Sequence, residues 1–292
     1  DFSKHFKSIL DKLGVLRRDP RINFLMTKLP VITSPSFNIL GNIEHAFFGR
    51  KGGVSNSHPG FETLNIGLNK GDDDQNIIEN RRLIAQHFGL TLDHLIIINQ
   101  QHTDIVHFVD KPFQAPPLGD ALVTTEPNFL LGIQTADCVP LLFVDADNHV
   151  VGAAHAGWRG AVKGIIEATL NKMVEVGANR SAIKTALGPC IWQPSYEVGV
   201  DLIETMQSYP GAYHSQFFTE GDRNNHFYFD LPGYVKHRLL KAGVQSVDLS
   251  PFDTFANPKD FFSYRYKTVN HLPYIGQQLS VIKLNVQKAL YS

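Results

Sequence analysis

The chain has 292 residues, 43% of them hydrophobic and 19% charged, with a formal net charge of −1. This composition describes a globular protein with a large core, and the near-neutral charge excludes the electrostatic footprint of a nucleic-acid or anionic-membrane binder, leaving a small molecule as the expected partner. Its two cysteines, Cys138 and Cys190, are too few for a disulfide framework and lack Cys-x-x-Cys spacing, and no apolar run reaches the roughly 20 residues of a spanning helix.

The first residues lack the apolar run and cleavage site of a secretory signal, so a reducing cytoplasm is the expected compartment. Residues 2–16 place Phe2, Phe6, Ile9, Leu10, Leu13 and Leu16 at helical spacing, which predicts an amphipathic helix docked on the body. Residues 1–40 read as an extension that carries this helix, and residues 41–292 as one catalytic domain without linker or repeat. Val31–Thr33 and Ile43–Phe48 read as strands. The second runs into Gly49-Arg50-Lys51-Gly52-Gly53-Val54-Ser55, where two glycines let backbone amides approach an anion and Arg50 supplies charge. Such a turn alone often does no more than reverse the chain.

A helix is expected over Asn76–Phe88, with Asp72, Asp73 and Asp74 at its positive end. Strands follow at Leu95–Asn99, around Val106, at Asp120–Thr124 and at Leu130–Gln134. Val139–Val144 and Val150–Ala154 are near-continuous apolar runs on either side of Asp-Ala-Asp-Asn, the pattern of two buried strands joined by a reversal. Ala161–Val176 reads as one helix stopped by Gly177, and Val200–Tyr209 and Leu231–Ala242 as two more. Phe261–Arg265 and Gln278–Leu284 read as late strands. The fold class is therefore α/β with mixed sheets.

Antiparallel pairing of the two buried runs brings Cys138, at the entry of the first, close to His155, at the exit of the second. His102, in a turn after a strand, would complete a His₂Cys set. Three protein ligands with one open position is how catalytic zinc is held, and copper also suits these donors. Asp137 is placed to carry a proton or to orient a ligand imidazole. The same residues also allow a metal-free chemistry, with Cys138 as a thiolate nucleophile and His155 as its base. In the blandest case Cys138 is core filler and His155 caps a turn. Cys190 reads as a structural thiol. None of the thirteen histidines forms a His-x-His pair, which disfavours a multicopper cluster.

Nine ordered phrases then resemble the YfiH-like family, often labelled multicopper polyphenol oxidase or laccase-domain proteins. They are Phe48–Ser55, Leu64-Asn65-Ile66-Gly67, Asn80-Arg81-Arg82, Gln101-His102, Thr135–Pro140, His155-Ala156-Gly157-Trp158-Arg159-Gly160, Gly188–Ile191, Tyr196–Gly199 and Phe262-Ser263-Tyr264-Arg265. The resemblance implies a single layered α/β/β/α domain and a zinc site with His102, Cys138 and His155 as ligands. In spite of its label, the family is associated with phosphorolysis of adenosine, inosine, guanosine and methylthioadenosine and with deamination of adenosine. On that footing Arg50, Gly52, Gly53, Arg159 and Arg265 are candidates for phosphate and substrate, Asn65 for ribose or base, and Asp137 for a proton. An association with peptidoglycan-precursor editing, and a distant likeness to deamidase toxins that use Cys and His, imply a hydrolase or amidase instead. A binding protein that retains the pocket is a third reading. The chain departs from the family pattern at Thr103, Tyr266 and Gln277, where glycine, arginine and arginine are common.

Overall fold

A computed structural model describes residues 29–68 and 71–285; the helix expected over residues 2–16 lies outside them. In chain order the elements are β1 (Val31–Ile32), α1 (Pro35–Asn38), β2 (Ile43–Phe48), α2 (Asp74–His87), β3 (Leu95–Ile97), β4 (Val106–Phe108), β5 (Ala121–Thr124), β6 (Leu130–Thr135), β7 (Val139–Asp145) and β8 (Val150–Ala156). There follow α3 (Trp158–Lys163), α4 (Ile165–Glu175), β9 (Lys184–Leu187), β10 (Glu197–Gly199), α5 (Val200–Gln207), β11 (Phe218–Glu220), β12 (His226–Phe229), α6 (Leu231–Lys241), β13 (Ser246–Leu249), α7 (Tyr264–Val269) and β14 (Gln278–Leu284).

The strands form a five-stranded sheet in the order β1-β2-β14-β6-β3, a six-stranded sheet in the order β13-β9-β7-β8-β5-β4, and a small sheet β10-β12-β11. Both large sheets mix parallel and antiparallel pairs, in agreement with the expected fold class. Alternation along each strand explains the layering. Phe47, Leu131, Ile133 and Ile282 of the first sheet meet Leu122, Leu142, Val144 and Ala153 of the second in one buried cluster. The opposite residues of the first sheet, Phe48, Leu130, Leu279 and Val281, pack with Leu64, Ile66 and, from α2, Ile84. Those of the second sheet, Leu141, Phe143 and Ala154, pack with Ile166, Leu170 and Met173 of α4 and Tyr234, Val235 and Leu239 of α6. The result is helix, sheet, sheet, helix. Because β7 and β8 are covered on both faces, every residue in them is buried, which is why their sequences read as continuous apolar runs.

Residues 29–40 pack against this body. Val31 pairs with Phe48, and Phe37 enters the core between the sheets. Among the described residues no helix is long and apolar enough to cross a membrane.

Two expectations are corrected. The helix read over Ala161–Val176 begins earlier, at Trp158, and is broken in two at Gly164, whose φ of 109° is left-handed backbone that glycine adopts at little cost. The segment Phe261–Arg265 is no strand. Ser263 caps α7 by accepting a hydrogen bond from the Tyr266 amide at 3.0 Å, so the chain turns into a helix there. The small sheet has no counterpart among the expected elements, since Phe218–Glu220 and His226–Phe229 are too short to show a period.

Leu142 fills the space between the sheets and is fully buried. Leu142→Ala is expected to cost about 2–5 kcal/mol in a urea-unfolding measurement; a loss under about 1 kcal/mol would contradict the packing described.

Candidate active site

The β7–β8 ladder pairs Val139 with Ala156 and Pro140 with His155. That register leaves Cys138 at the mouth of the hairpin beside His155. The chain enters β7 through Asp137, held at φ 95°, which turns the backbone sharply before Cys138. His102 arrives from the loop between β3 and β4, itself at φ 58°. Its ring lies 4.7 Å from that of His155, edge to face, and its Nε2 lies 3.8 Å from Cys138 Sγ. The ligand atoms of His102, Cys138 and His155 all fall within 4.8 Å of one another, the one group of three metal-competent side chains among the described residues. The structure thus brings together the three residues that spacing and resemblance single out.

Gly157 makes the approach feasible. A Cβ there would lie 2.6 Å from His102 Cδ2 and 2.9 Å from Cys138 Sγ, so only glycine leaves room for both side chains. His155 is buried, with Nδ1 2.8 Å from Asp120 Oδ1. Burial opposes a charged imidazole, yet the neighbouring Cys138 and the Asp120 hydrogen bond raise its pKa above the usual range. Burial likewise opposes a thiolate, but the charge of His155 and the hydrogen bond from His102 hold the Cys138 thiol below its usual range. Both shifts run in the direction of a thiolate beside an imidazolium, with the Asp120 carboxylate behind the ring.

Sequence reasoning missed Asp120, and gave the orientation of an imidazole to Asp137 instead. Among the described residues no hydrogen bond joins Asp137 to either imidazole. Its Oδ1 accepts from Thr254 Oγ1 at 2.7 Å and its Oδ2 from the Arg265 amide at 2.6 Å. Burial raises its pKa, against these hydrogen bonds. A signal for Asp120 existed, since an acid directly before the wholly apolar Ala121-Leu122-Val123 is costly to bury unless several donors meet it.

The arginines divide. Arg159 lies 4.3 Å over the Trp158 ring, and Arg265 lies 5.4 Å over the Tyr196 ring. Tyr196 is itself within electrostatic reach of Cys138: burial first, and then the Cys138 charge, raise its pKa, while Arg265 and Arg159 oppose them. Both guanidiniums and Cys138 thus lie within electrostatic reach of Tyr196, which sequence reasoning used only as the start of the Tyr196–Gly199 phrase and gave no role. Arg50 is placed differently. Its Nε donates to the carbonyl of Glu62 at 2.7 Å, Nη1 to that of Pro258 at 2.7 Å and Nη2 to that of Pro59 at 3.0 Å. The Gly53 amide donates to Thr63 Oγ1, and a Cβ at Gly52 would strike Leu29. Asn65 is fully buried, donating to Asp72 and accepting the amides of Gly67 and Gln277. These four residues are engaged in holding loops, and among the described residues no hydrogen bond or ion pair joins them to the cluster. Cys190 is buried in the core, its thiol pushed up by burial, as expected of a structural residue.

A layered α/β/β/α body with a His₂Cys cluster at one hairpin mouth, a group that could hold a metal ion, defines the class of protein. The description of the matching family model is multi-copper polyphenol oxidoreductase laccase, and it covers residues 44–285; the chain belongs to this family. A purine nucleoside phosphorylase of Deinococcus radiodurans is 38% identical over 240 residues, 81% of this chain and 87% of that one. One of Rickettsia conorii is 35% identical over 217 residues, 74% of this chain and 88% of the relative. Among solved structures, YfiH of Bacillus licheniformis superposes with a TM-score of 0.79 at 27% identity, covering 87% of this chain and 96% of that one. YlmD of Geobacillus stearothermophilus gives 0.75 at 27% identity, covering 85% and 93%.

Two outcomes follow from this geometry. Gly157→Ala should crowd the ligands by about 1–3 kcal/mol, roughly ten- to hundredfold in affinity for a divalent metal measured by chelator competition; unchanged affinity would contradict the close approach. In metal-stripped protein, alkylation of Cys138 should reach half its maximal rate well below the ordinary thiol value of 9.0, because the thiolate persists as pH falls through neutrality. A midpoint at or above 9.0 would remove the ion pair.

Proposed function

We propose that this chain is a zinc-dependent purine nucleoside phosphorylase, acting on adenosine, inosine, guanosine and methylthioadenosine, that also deaminates adenosine. The observation that carries this reading is the convergence of His102, Cys138 and His155 in a chain whose relatives are named purine nucleoside phosphorylase. The donor set fits zinc: two imidazoles and a thiol held below its usual pKa, three ligands in all, leave one position for a reactant. Zinc bound there supplies Lewis acidity and makes water acidic near neutral pH.

In phosphorolysis a phosphate oxygen bonds to ribose C1′ as the bond from C1′ to the purine nitrogen breaks, the base takes up a proton, and the products are ribose 1-phosphate and free purine. Arg159 and Arg265 are assigned to phosphate. Each lies over an aromatic ring, Arg159 4.3 Å from the Trp158 centroid and Arg265 5.4 Å from that of Tyr196, a contact that favours the cation without using its N–H groups, which can pair with phosphate oxygens. Asp137, through its bond to the Arg265 amide, fixes the residue that carries one of these guanidiniums. Arg50, Gly53 and Asn65 are assigned to holding loops through the hydrogen bonds they make, and Gly52 to the close approach of Leu29. Deamination consumes water at adenine C6 and releases ammonia.

A second reading, a metal-free Cys/His hydrolase or amidase, is favoured by one observation: Asp120, His155 and Cys138 stand in line, with the imidazole between carboxylate and thiol. Metal analysis joined to a nucleoside screen separates the two. Metal-replete protein given adenosine should yield adenine only with phosphate present, and inosine without it. Failure to form either product would overturn the first reading. Arg159→Ala and Arg265→Ala should each raise KM for phosphate at least tenfold, with a smaller effect on KM for nucleoside; an equal rise in both would remove their assignment.

A further inference from the structure

Two of the three clustered residues, His155 through its ring and His102 through its backbone amide, bond to a single carboxylate. Asp120 is fully buried at the start of β5. Its Oδ1 accepts from His155 Nδ1 at 2.8 Å and from the His102 backbone amide at 3.0 Å. Its Oδ2 accepts from the Gln101 amide at 3.1 Å, the Thr103 amide at 2.7 Å and Thr103 Oγ1 at 2.7 Å. Every partner of this carboxylate is a donor. The backbone repeats the tie, since the His155 amide donates to the Asp120 carbonyl at 2.8 Å.

We propose that Asp120 is the positioning residue of the metal centre, setting the tautomer of His155 and the turn that presents His102. The proposal rests on the reading of His102, Cys138 and His155 as metal ligands. A neutral imidazole has one protonated nitrogen and one lone pair. With its proton held at Nδ1 by Asp120, His155 keeps its lone pair on Nε2, the nitrogen left for the thiol and a metal. The same oxygen holds the His102 amide, in a residue whose φ of 58° is unfavourable for a side chain with a Cβ. One acceptor thus secures two ligands from different elements.

A carboxylate is required here, and no other polar group of that size will serve. Asparagine offers one oxygen and one NH₂. If its oxygen faces His155, its NH₂ meets the three donors of Gln101 and Thr103. If it turns round, its NH₂ meets His155, forces the proton onto Nε2 and removes the lone pair from the cluster. Either way one side of the arrangement fails, although shape and volume are conserved.

The test is zinc competition against a chromophoric chelator, with cobalt(II) spectra, on the parent and Asp120→Asn, and with Cys138→Ser as the control that loses the thiolate-to-cobalt band. Zinc affinity should fall about ten- to hundredfold in folded Asp120→Asn, with a shifted ligand field and the thiolate band retained. Parent-like affinity and an unchanged cobalt spectrum would overturn the proposal. Should Asp120→Asn fail to fold, ¹⁵N NMR of His155 in the zinc-loaded parent decides: a proton on Nδ1 supports the assignment, and a bare Nδ1 overturns it. A parent that takes up neither zinc nor cobalt refutes the metal reading itself. In that event the NMR measurement, made on metal-free protein at a pH alkaline enough to leave the ring neutral, still tests the control of the tautomer by Asp120.

Discussion

The site depends first on the register of one antiparallel pair. β7 and β8 meet so that Pro140 faces His155, and with side chains alternating at period two, a slip of one residue would turn His155 to the opposite face of the sheet. Nothing local to Cys138 or His155 prevents such a slip. What prevents it is burial of both faces: Leu141 and Phe143 belong to the cluster under the helices, and Leu142 and Val144 to the cluster between the sheets. Exchanging the two sets would place each in a space shaped for the other. The position of the thiol and imidazole is therefore a property of the whole four-layer body.

His102 has no such protection, because it sits on a loop. Its place is set by hydrogen bonds, with the amides of Gln101, His102 and Thr103 gathered onto Asp120. Asp120 in turn is fixed by the sheet, since the strand that follows it pairs with β8 through Ala121 and Ala154. The loop ligand and the strand ligand are thus referred to the same frame. Its geometry survives on the loop because five donors compensate a buried carboxylate, which would otherwise be costly to desolvate.

Much of this is legible in the sequence, and the part that is not has a physical pattern. Ile43–Phe48 and Gln278–Leu284 are read as strands at the bounds the structure gives, because short stretches that mix β-branched, aliphatic and aromatic residues with isolated polar ones suit an extended chain. The pairing of Cys138 with His155 is also legible, since a short turn between buried strands brings their ends together. Phe261–Arg265 misleads because its aromatic residues suit a strand, while the deciding interactions are the Ser263 cap and the Asp137 acceptor, 128 positions from Arg265. Asp120 is hidden for a similar reason. Its importance lies in five partners, four of them from one loop, and none of those bonds leaves a periodic trace.

The arginines show how the same chemistry can be read two ways. Arg50 beside a glycine turn has the look of an anion site, because a phosphate oxygen and a peptide carbonyl make the same demand on a guanidinium, an acceptor in its plane. Sequence cannot say which acceptor arrives first. Here the carbonyls of Pro59, Glu62 and Pro258 do, and Arg50 becomes a clamp between the turn at residues 59–62 and Pro258. Two of the departures from the family pattern fall away from the three clustered residues, Tyr266 within α7 and Gln277 directly before β14. The Gln277 amide donates to Asn65 Oδ1, and the Tyr266 ring packs 6.2 Å from that of Phe255. In the proposed reading, recognition of phosphate falls to Arg159 and Arg265, whose guanidiniums lie over the Trp158 and Tyr196 rings.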